Sequence, residues 1–182
     1  AGFSGLKLRT STRVGAKTLA ALGGSPVAMP PAQVTEAVAK GVVDGSLGAW
    51  ELVFPTKLSE VTKFHAQPIP GQPYPTATVL MVVMNKQKYD GLPADLKAII
   101  DKTTGEVMVA KFGEVFDDEA NKARQKIAAL GNKTTNLTPE EISAMKKATI
   151  NVEDEWAKQV TEKGLDGKKL LANARQLTGT AK

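Results

Sequence analysis

Residues 5–45 read GLKLRTSTRVGAKTLAALGGSPVAMPPAQVTEAVAKGVVDG. Gly5-Leu6-Lys7-Leu8-Arg9 alternates apolar and basic residues, the two-residue period of a short strand. Thr10, Ser11 and Thr12 supply hydroxyls of the kind that cap helix N-termini. Residues 13–22 follow as a helix closed by Gly23-Gly24. Pro26-Val27-Ala28-Met29 reads as a second strand, and Pro30-Pro31 ends it and opens the next helix with φ already fixed. Val34, Val38 and the alanines of residues 32–40 form that helix's apolar stripe, which Gly41 closes. Val42-Val43 reads as a very short third strand before the Asp44-Gly45 turn. Strand, helix, strand, helix, strand is the α/β order, in which the loops at strand ends are free to carry a binding site.

Downstream, residues 50–54 are amphipathic, and Leu58, Val61 and Phe64 suggest one or two further helical turns. Residues 68–75 hold four prolines and read as a stiff extended connector. Residues 76–85 are the most strand-like in the chain. From Val79 to Met84 they are apolar at every position, which predicts a strand buried on both faces. A long helical region spans residues 92–130, with Thr103-Thr104-Gly105 as its weak point. Residues 132–136 suggest a short strand. Thr138-Pro139-Glu140-Glu141 is a capping box with proline at the first helical position. Its helix runs to Lys163, and residues 166–177 form the last one.

Composition narrows the chemistry. Of 182 residues, 42% are hydrophobic and 24% charged, which suits a globular protein with a real core. The longest apolar run, residues 79–84, is too short to span a bilayer. The first residues show neither Met nor a leader's apolar region, as expected of a mature, trimmed or cytosolic chain. There is no cysteine, so disulfides, thiolate metal sites and cysteine nucleophiles are out. The single histidine, His65, excludes two-histidine metal sites, and a surface or structural role suits it best. No GxSxG elbow, GxxxxGK[ST] loop or GxGxxG fingerprint occurs. No metal site and no cofactor are expected; Asp117-Asp118-Glu119 reads as one solvated face of a long helix. The net charge of +5 raises nucleic acid as a partner, but residues 157–182 alone carry +4. A solvated basic C-terminal helix accounts for that, and no nucleic acid is expected.

Two residues stand out. Arg9 ends a strand just ahead of a helix N-terminus. A guanidinium there can grip a carboxylate through parallel hydrogen bonds, or it can be a plain surface arginine. Trp50 can wall a pocket for an apolar ligand group, or can be an amphipathic core residue. An enzyme using Asp44 and Glu51 as acid and base is the alternative reading, although Asp44 in a glycine-bounded turn has a structural job.

Taken together, Gly5-Leu6-Lys7-Leu8-Arg9, Leu22-Gly23-Gly24-Ser25-Pro26-Val27-Ala28-Met29-Pro30, Val34-Thr35-Glu36-Ala37, Lys40-Gly41-Val42-Val43-Asp44-Gly45 and Trp50-Glu51 form a familiar series. Val82-Val83-Met84-Asn85-Lys86 and Tyr89-Asp90-Gly91-Leu92-Pro93 continue it. The series resembles the substrate-binding proteins of TRAP transporters, the DctP-type family.

The resemblance implies a two-lobed α/β fold of the periplasmic-binding-protein type (type II), present here mainly as the second lobe plus hinge helices. Residues 1–73 would be the second-lobe core, residues 74–113 a segment of the first lobe, and residues 114–182 the return to the second lobe and hinge. Family members are longer, so a missing N-terminal part of the same protein is expected as a partner. The other implied partners are a small organic acid and the membrane permease subunits of a TRAP transporter. The implied function is periplasmic capture and delivery of a carboxylate, without catalysis. Arg9 would hold the position of the arginine that pairs with the ligand carboxylate. The family often has Gln-Glu-Asn-Pro where Ser46, Leu47, Gly48 and Ala49 stand. The amide is gone, and the resemblance implies a roomier, more apolar pocket around Leu47, Gly48 and Trp50. Pro31, where the family often has an aromatic residue, leaves further room. Residues 79–84 would then be a two-sided apolar strand with no sheet to join.

Overall fold

The computed structural model describes residues 2–72, 74 and 79–178. Its first unit is a parallel three-stranded sheet in the order β2-β1-β3, built from β1 (Lys7–Thr10), β2 (Ser25–Ala28) and β3 (Gly45–Ser46). Arg9 pairs with Val27 on one side and with Ser46 on the other. The crossovers are α1 (Arg13–Ala21) and α2 (Pro31–Ala39). Thr12 caps α1 by accepting from the Gly15 amide at 2.9 Å, and Pro31 occupies the first turn of α2. Gly23 and Gly41 take positive φ (88° and 67°) where the chain leaves each helix.

The third strand sits a few residues later than expected. The amides of Val42 and Val43 bond back to the Ala37 carbonyl, so this pair belongs to the turn that leaves α2. Val43 is buried beneath it, while Val42 faces out. Pairing with β1 begins beyond them, where the Asp44 amide donates to the Lys7 carbonyl at 2.8 Å. The Asp44 carboxylate accepts from the Lys7 amide at 2.7 Å. The apolar character of Val42-Val43 serves core burial, not strand formation.

A single 3₁₀ turn (Trp50–Leu52) and a short helix α3 (Leu58–Val61) lead to a second sheet. That sheet pairs β4 (Phe64–Pro68) in parallel with β5 (Lys133–Leu137). Phe64 therefore opens a strand and does not continue a helix. Its partner lies about seventy residues away, so no local pattern announces it. Pro68 closes β4 at the strand's end, where a missing N–H is tolerated. Pro73 and Pro75 of the proposed connector lie outside the described residues.

Between these strands stand α4 (Lys86–Asp90), which the sequence did not announce, α5 (Ala94–Thr103) and α6 (Glu106–Ala129). The break between α5 and α6 falls at Thr104-Gly105, where Gly105 has φ 70°. α7 (Pro139–Thr161) opens on the capping box: the Thr138 hydroxyl accepts from the Glu141 amide, and the Glu141 carboxylate from the Thr138 amide. α8 (Gly167–Leu177) folds back on α7, with Arg175 paired to Glu153. Gly167 meets the Ala157 backbone so closely that a methyl group there would fall on the Ala157 carbonyl.

Leu19, Val34 and Val43 are buried in the first unit. Trp50, Val53, Ala123 and Ile127 form a core cluster between the 3₁₀ turn and α6, with Phe54, Leu58 and Ala120 packed against it. Residues 79–84 depart from the expectation. Their side chains are 51–87% exposed, and no ladder forms among the described residues from 79 to 85. A two-sided apolar strand needs neighbours on both faces, and among the described residues this segment has none. Thr76, Ala77 and Thr78 lie outside the described residues. No helix among the described residues is long and apolar enough to cross a membrane.

Candidate functional site

The sheet order fixes where a site can form. The chain runs from the central strand β1 to β2 on one side, then crosses to β3 on the other. Helices and loops on the two sides diverge at the carboxyl ends of the strands, and ligand crevices of open α/β sheets lie there. A shallow open depression of about 380 Å³ occupies this position. Arg9, Thr10 and Ser11 form its polar side, and Ala28, Met29, Pro30 and Pro31 its apolar side.

Arg9 is 2% exposed. Its Nε donates to the Met29 carbonyl at 3.0 Å, which turns the guanidinium along the end of β2. Its Nη2 is buried and has no hydrogen-bond partner among the described residues. Burial pushes the pKa of Arg9 down by desolvation. An arginine nevertheless keeps its proton in proteins, so the cost of burying an unpaired charge stands. Such a group is poised for an anion.

Thr10 is 1% exposed, and its Oγ1 also lacks a partner among the described residues. Sequence reading treated residues 10–12 together as cap hydroxyls, but only Thr12 takes that role. What singles out Thr10 is an unmet hydrogen bond, which a sequence cannot display.

The other candidates lie as follows. Pro31 lines the same depression as Arg9. The Leu47 amide donates to the Arg9 carbonyl at 2.9 Å, so the loop after β3 is tied to β1 beside the site. Gly48 is exposed on that loop, and a Cβ there would meet only Ser46 Oγ, at 3.7 Å. Trp50 is not brought into the depression. It is 9% exposed in the core cluster. Its ring lies 5.3 Å from that of His65, and the Arg124 guanidinium sits 5.6 Å from its centroid. Arg124, which sequence reading missed, also donates to Gln67 at 3.0 Å and to the Tyr74 hydroxyl at 2.9 Å. The Asp44 carboxylate accepts from the Lys7 amide, which gives it a structural job in its turn. Among the described residues no group of three or more His, Asp or Glu side chains could hold a metal ion.

His65 carries a prediction of its own. Asn132 Nδ2 donates to the Thr62 carbonyl at 3.0 Å, which fixes the amide's orientation, and lies 3.3 Å from His65 Nε2. In that arrangement Nε2 must be the unprotonated ring nitrogen. Burial pushes the His65 pKa below its ordinary value. The unfolded chain therefore takes up the proton first. The stabilising contribution is complete above the unfolded pKa of about 6.5 and is lost as pH falls below it toward the folded pKa. Thermal unfolding between about pH 7.5 and 5.5 should show a falling Tm, and His65→Gln should flatten that slope. An equal slope in the variant removes His65 as the cause.

Comparisons with known proteins bear on the family and the fold. Residues 1–159 match the family described as bacterial extracellular solute-binding protein, family 7 (DctP). The C4-dicarboxylate-binding periplasmic protein DctP of Rhodobacter capsulatus is 34% identical over 160 residues, covering 87% of this chain and 46% of that protein. A TRAP solute-binding protein of Rhodoferax ferrireducens, solved with copurified benzoate, is 33% identical and superposes with a TM-score of 0.87 over 96% of this chain and 54% of its own. A marine metagenome TRAP solute-binding protein specific for aromatic acid ligands, solved with metahydroxyphenylacetate, is 31% identical with a TM-score of 0.86, over 96% of this chain and 55% of its own. The chain spans about half the length of these relatives.

Proposed function

Because the chain belongs to the bacterial extracellular solute-binding proteins of family 7, we propose that it captures a small organic acid in the periplasm and delivers it, unchanged, to the permease subunits of a TRAP transporter. The observation that carries this reading is the Arg9 guanidinium, buried without a counter-ion among the described residues at the carboxyl end of the central strand. A ligand carboxylate supplies the missing charge and the missing acceptor.

The ligand class follows from what surrounds that cation. The depression offers one guanidinium and an apolar wall of Ala28, Met29, Pro30 and Pro31. The loop after β3 adds Leu47 and a side-chain-free Gly48, while Trp50 holds this loop from the core beneath it. On this side of the cleft, one cation beside apolar surface favours a monocarboxylate with an apolar body over a dicarboxylate, whose second charge finds no partner here. The benzoate of the Rhodoferax relative supports the same class.

In this reading residues 1–73 are the core of the second lobe, residues 74–113 enter the first lobe, and residues 114–182 return through the hinge. The rest of a longer protein supplies the facing half of the cleft. The exposed apolar side chains of residues 79–84, Leu96, Ile99, Val107 and Phe112 support this assignment, since such a surface left bare invites association. The 182-residue chain alone is therefore expected to self-associate in size-exclusion chromatography with light scattering, and the full-length protein to be monomeric. A monodisperse, cooperatively unfolding 19.3 kDa monomer contradicts the lobe assignment.

The experiment for the function is a thermal-shift screen of the full-length protein against keto acids, dicarboxylates and aromatic monocarboxylates. A ligand at a hundred times its Kd adds about 2.7 kcal/mol of stability. Aromatic monocarboxylates should give the largest shift. No shift with any acid overturns the reading.

A further inference from the structure

We infer that Thr10 is a second ligand contact, its hydroxyl donating to the carboxylate that Arg9 holds; the inference rests on the carboxylate reading of Arg9. Thr10 and Arg9 are adjacent in β1, and both line the depression at its carboxyl end. Both are almost fully buried, and each presents one polar atom, Thr10 Oγ1 and Arg9 Nη2, without a partner among the described residues. Burying a hydroxyl unpaired is unfavourable, and an apolar side chain of the same shape would avoid that cost. The local structure has no use for the hydroxyl, because Thr12 caps α1 instead.

The surroundings set the sign of the missing partner. Thr10 lies beneath the first turn of α1: a Cβ placed on Gly15 would sit 3.9 Å from the Thr10 Cβ. A helix N-terminus of this length directs unpaired backbone N–H groups and the positive end of its dipole outward. No carboxylate side chain lines the depression. Guanidinium, hydroxyl and helix terminus together suit a group with two acceptor oxygens and one negative charge. One oxygen accepts a hydrogen bond from Arg9 Nη2, and the other accepts one from the Thr10 hydroxyl.

The test uses Thr10→Val, which keeps the shape and removes the hydroxyl, and Thr10→Ser, which keeps the hydroxyl. Each is made in the full-length protein and titrated calorimetrically with benzoate beside the unaltered protein and Arg9→Ala. Thr10→Val is expected to weaken benzoate binding about tenfold, and Thr10→Ser by less than about threefold. Without ligand, Thr10→Val should unfold no earlier than the unaltered protein, because it removes an unpaired buried hydroxyl. Unchanged benzoate affinity in Thr10→Val overturns the inference while leaving Arg9 in place. So does a ligand-free Tm several degrees lower, which would reveal a structural hydrogen bond. Unchanged affinity in Arg9→Ala overturns the carboxylate reading and the Thr10 contact with it. Absent benzoate binding by the unaltered protein overturns the Thr10 contact as assigned here together with the aromatic-monocarboxylate class, but not the capture of another acid.

Discussion

Replacing Arg9 by alanine in the full-length protein is expected to weaken binding of an aromatic monocarboxylate by at least ~2 kcal/mol, roughly thirtyfold. The magnitude follows from the guanidinium's surroundings. It is 2% exposed, and its Nη2 meets no other acceptor among the described residues, so the ligand carboxylate is the partner it lacks. Hydrogen bonds to charged groups, made out of water, are the strong ones. The ligand-free protein is a different matter. There Arg9 is a buried cation without an anion, and removing it relieves desolvation while costing the bond to the Met29 carbonyl. Affinity should thus fall far more than stability. Arg9→Lys should recover only part of the affinity, because an ammonium lacks the planar fork and does not reproduce the Nε bond to Met29. Calorimetric titration of both variants checks this, and equal affinity in Arg9→Ala removes Arg9 from the site.

Trp50→Ala should have the largest effect on stability, about 3–5 kcal/mol, equivalent to a Tm lowered by roughly 10 °C for a protein of this size. Trp50 joins Val53 of the following turn to Ala123 and Ile127 of α6. Its ring also meets His65 of β4 and the Arg124 guanidinium. Truncation opens a cavity where these elements meet and removes the ring beneath the Arg124 cation. Trp50→Phe keeps an aromatic ring and should lose much less. The loop carrying Leu47 and Gly48 is anchored at one end by the Leu47–Arg9 backbone bond and at the other by Trp50. Affinity in Trp50→Phe should therefore fall only modestly, by positioning of the loop. Thermal unfolding of both variants, read beside their titrations, separates the two effects. A Trp50→Ala protein as stable as the parent would mean that the ring is not part of the core.

The first strands and helices were legible because their signals are local. Gly23-Gly24 ends α1, Pro31 starts α2, and Thr138 to Glu141 forms the capping box of α7, all with no help from distant residues. The break at Thr104-Gly105 was legible for the same reason. The third strand slipped because Val42 and Val43 are apolar for the sake of packing, while the pairing residues Gly45 and Ser46 carry no strand signal. β4 was missed because the alternation of FHAQP is short, its apolar Phe64 and Ala66 lie on the exposed side, and its partner is distant in sequence. Residues 79–84 show the converse. Strand propensity expresses fit to a neighbouring pleated surface, and where no neighbour is present no ladder forms. At the site, the sequence named Arg9 through its position at a strand end. That its Nη2 and the Thr10 hydroxyl lack partners is a property of three-dimensional packing alone.

The most direct measurement of the central claim is a crystal structure of the full-length protein grown with benzoate. The carboxylate should lie in the depression at the carboxyl end of β1, with one oxygen about 2.7–2.9 Å from Arg9 Nη2. Benzoate bound elsewhere, or an Arg9 guanidinium paired with a protein carboxylate instead, would contradict the account.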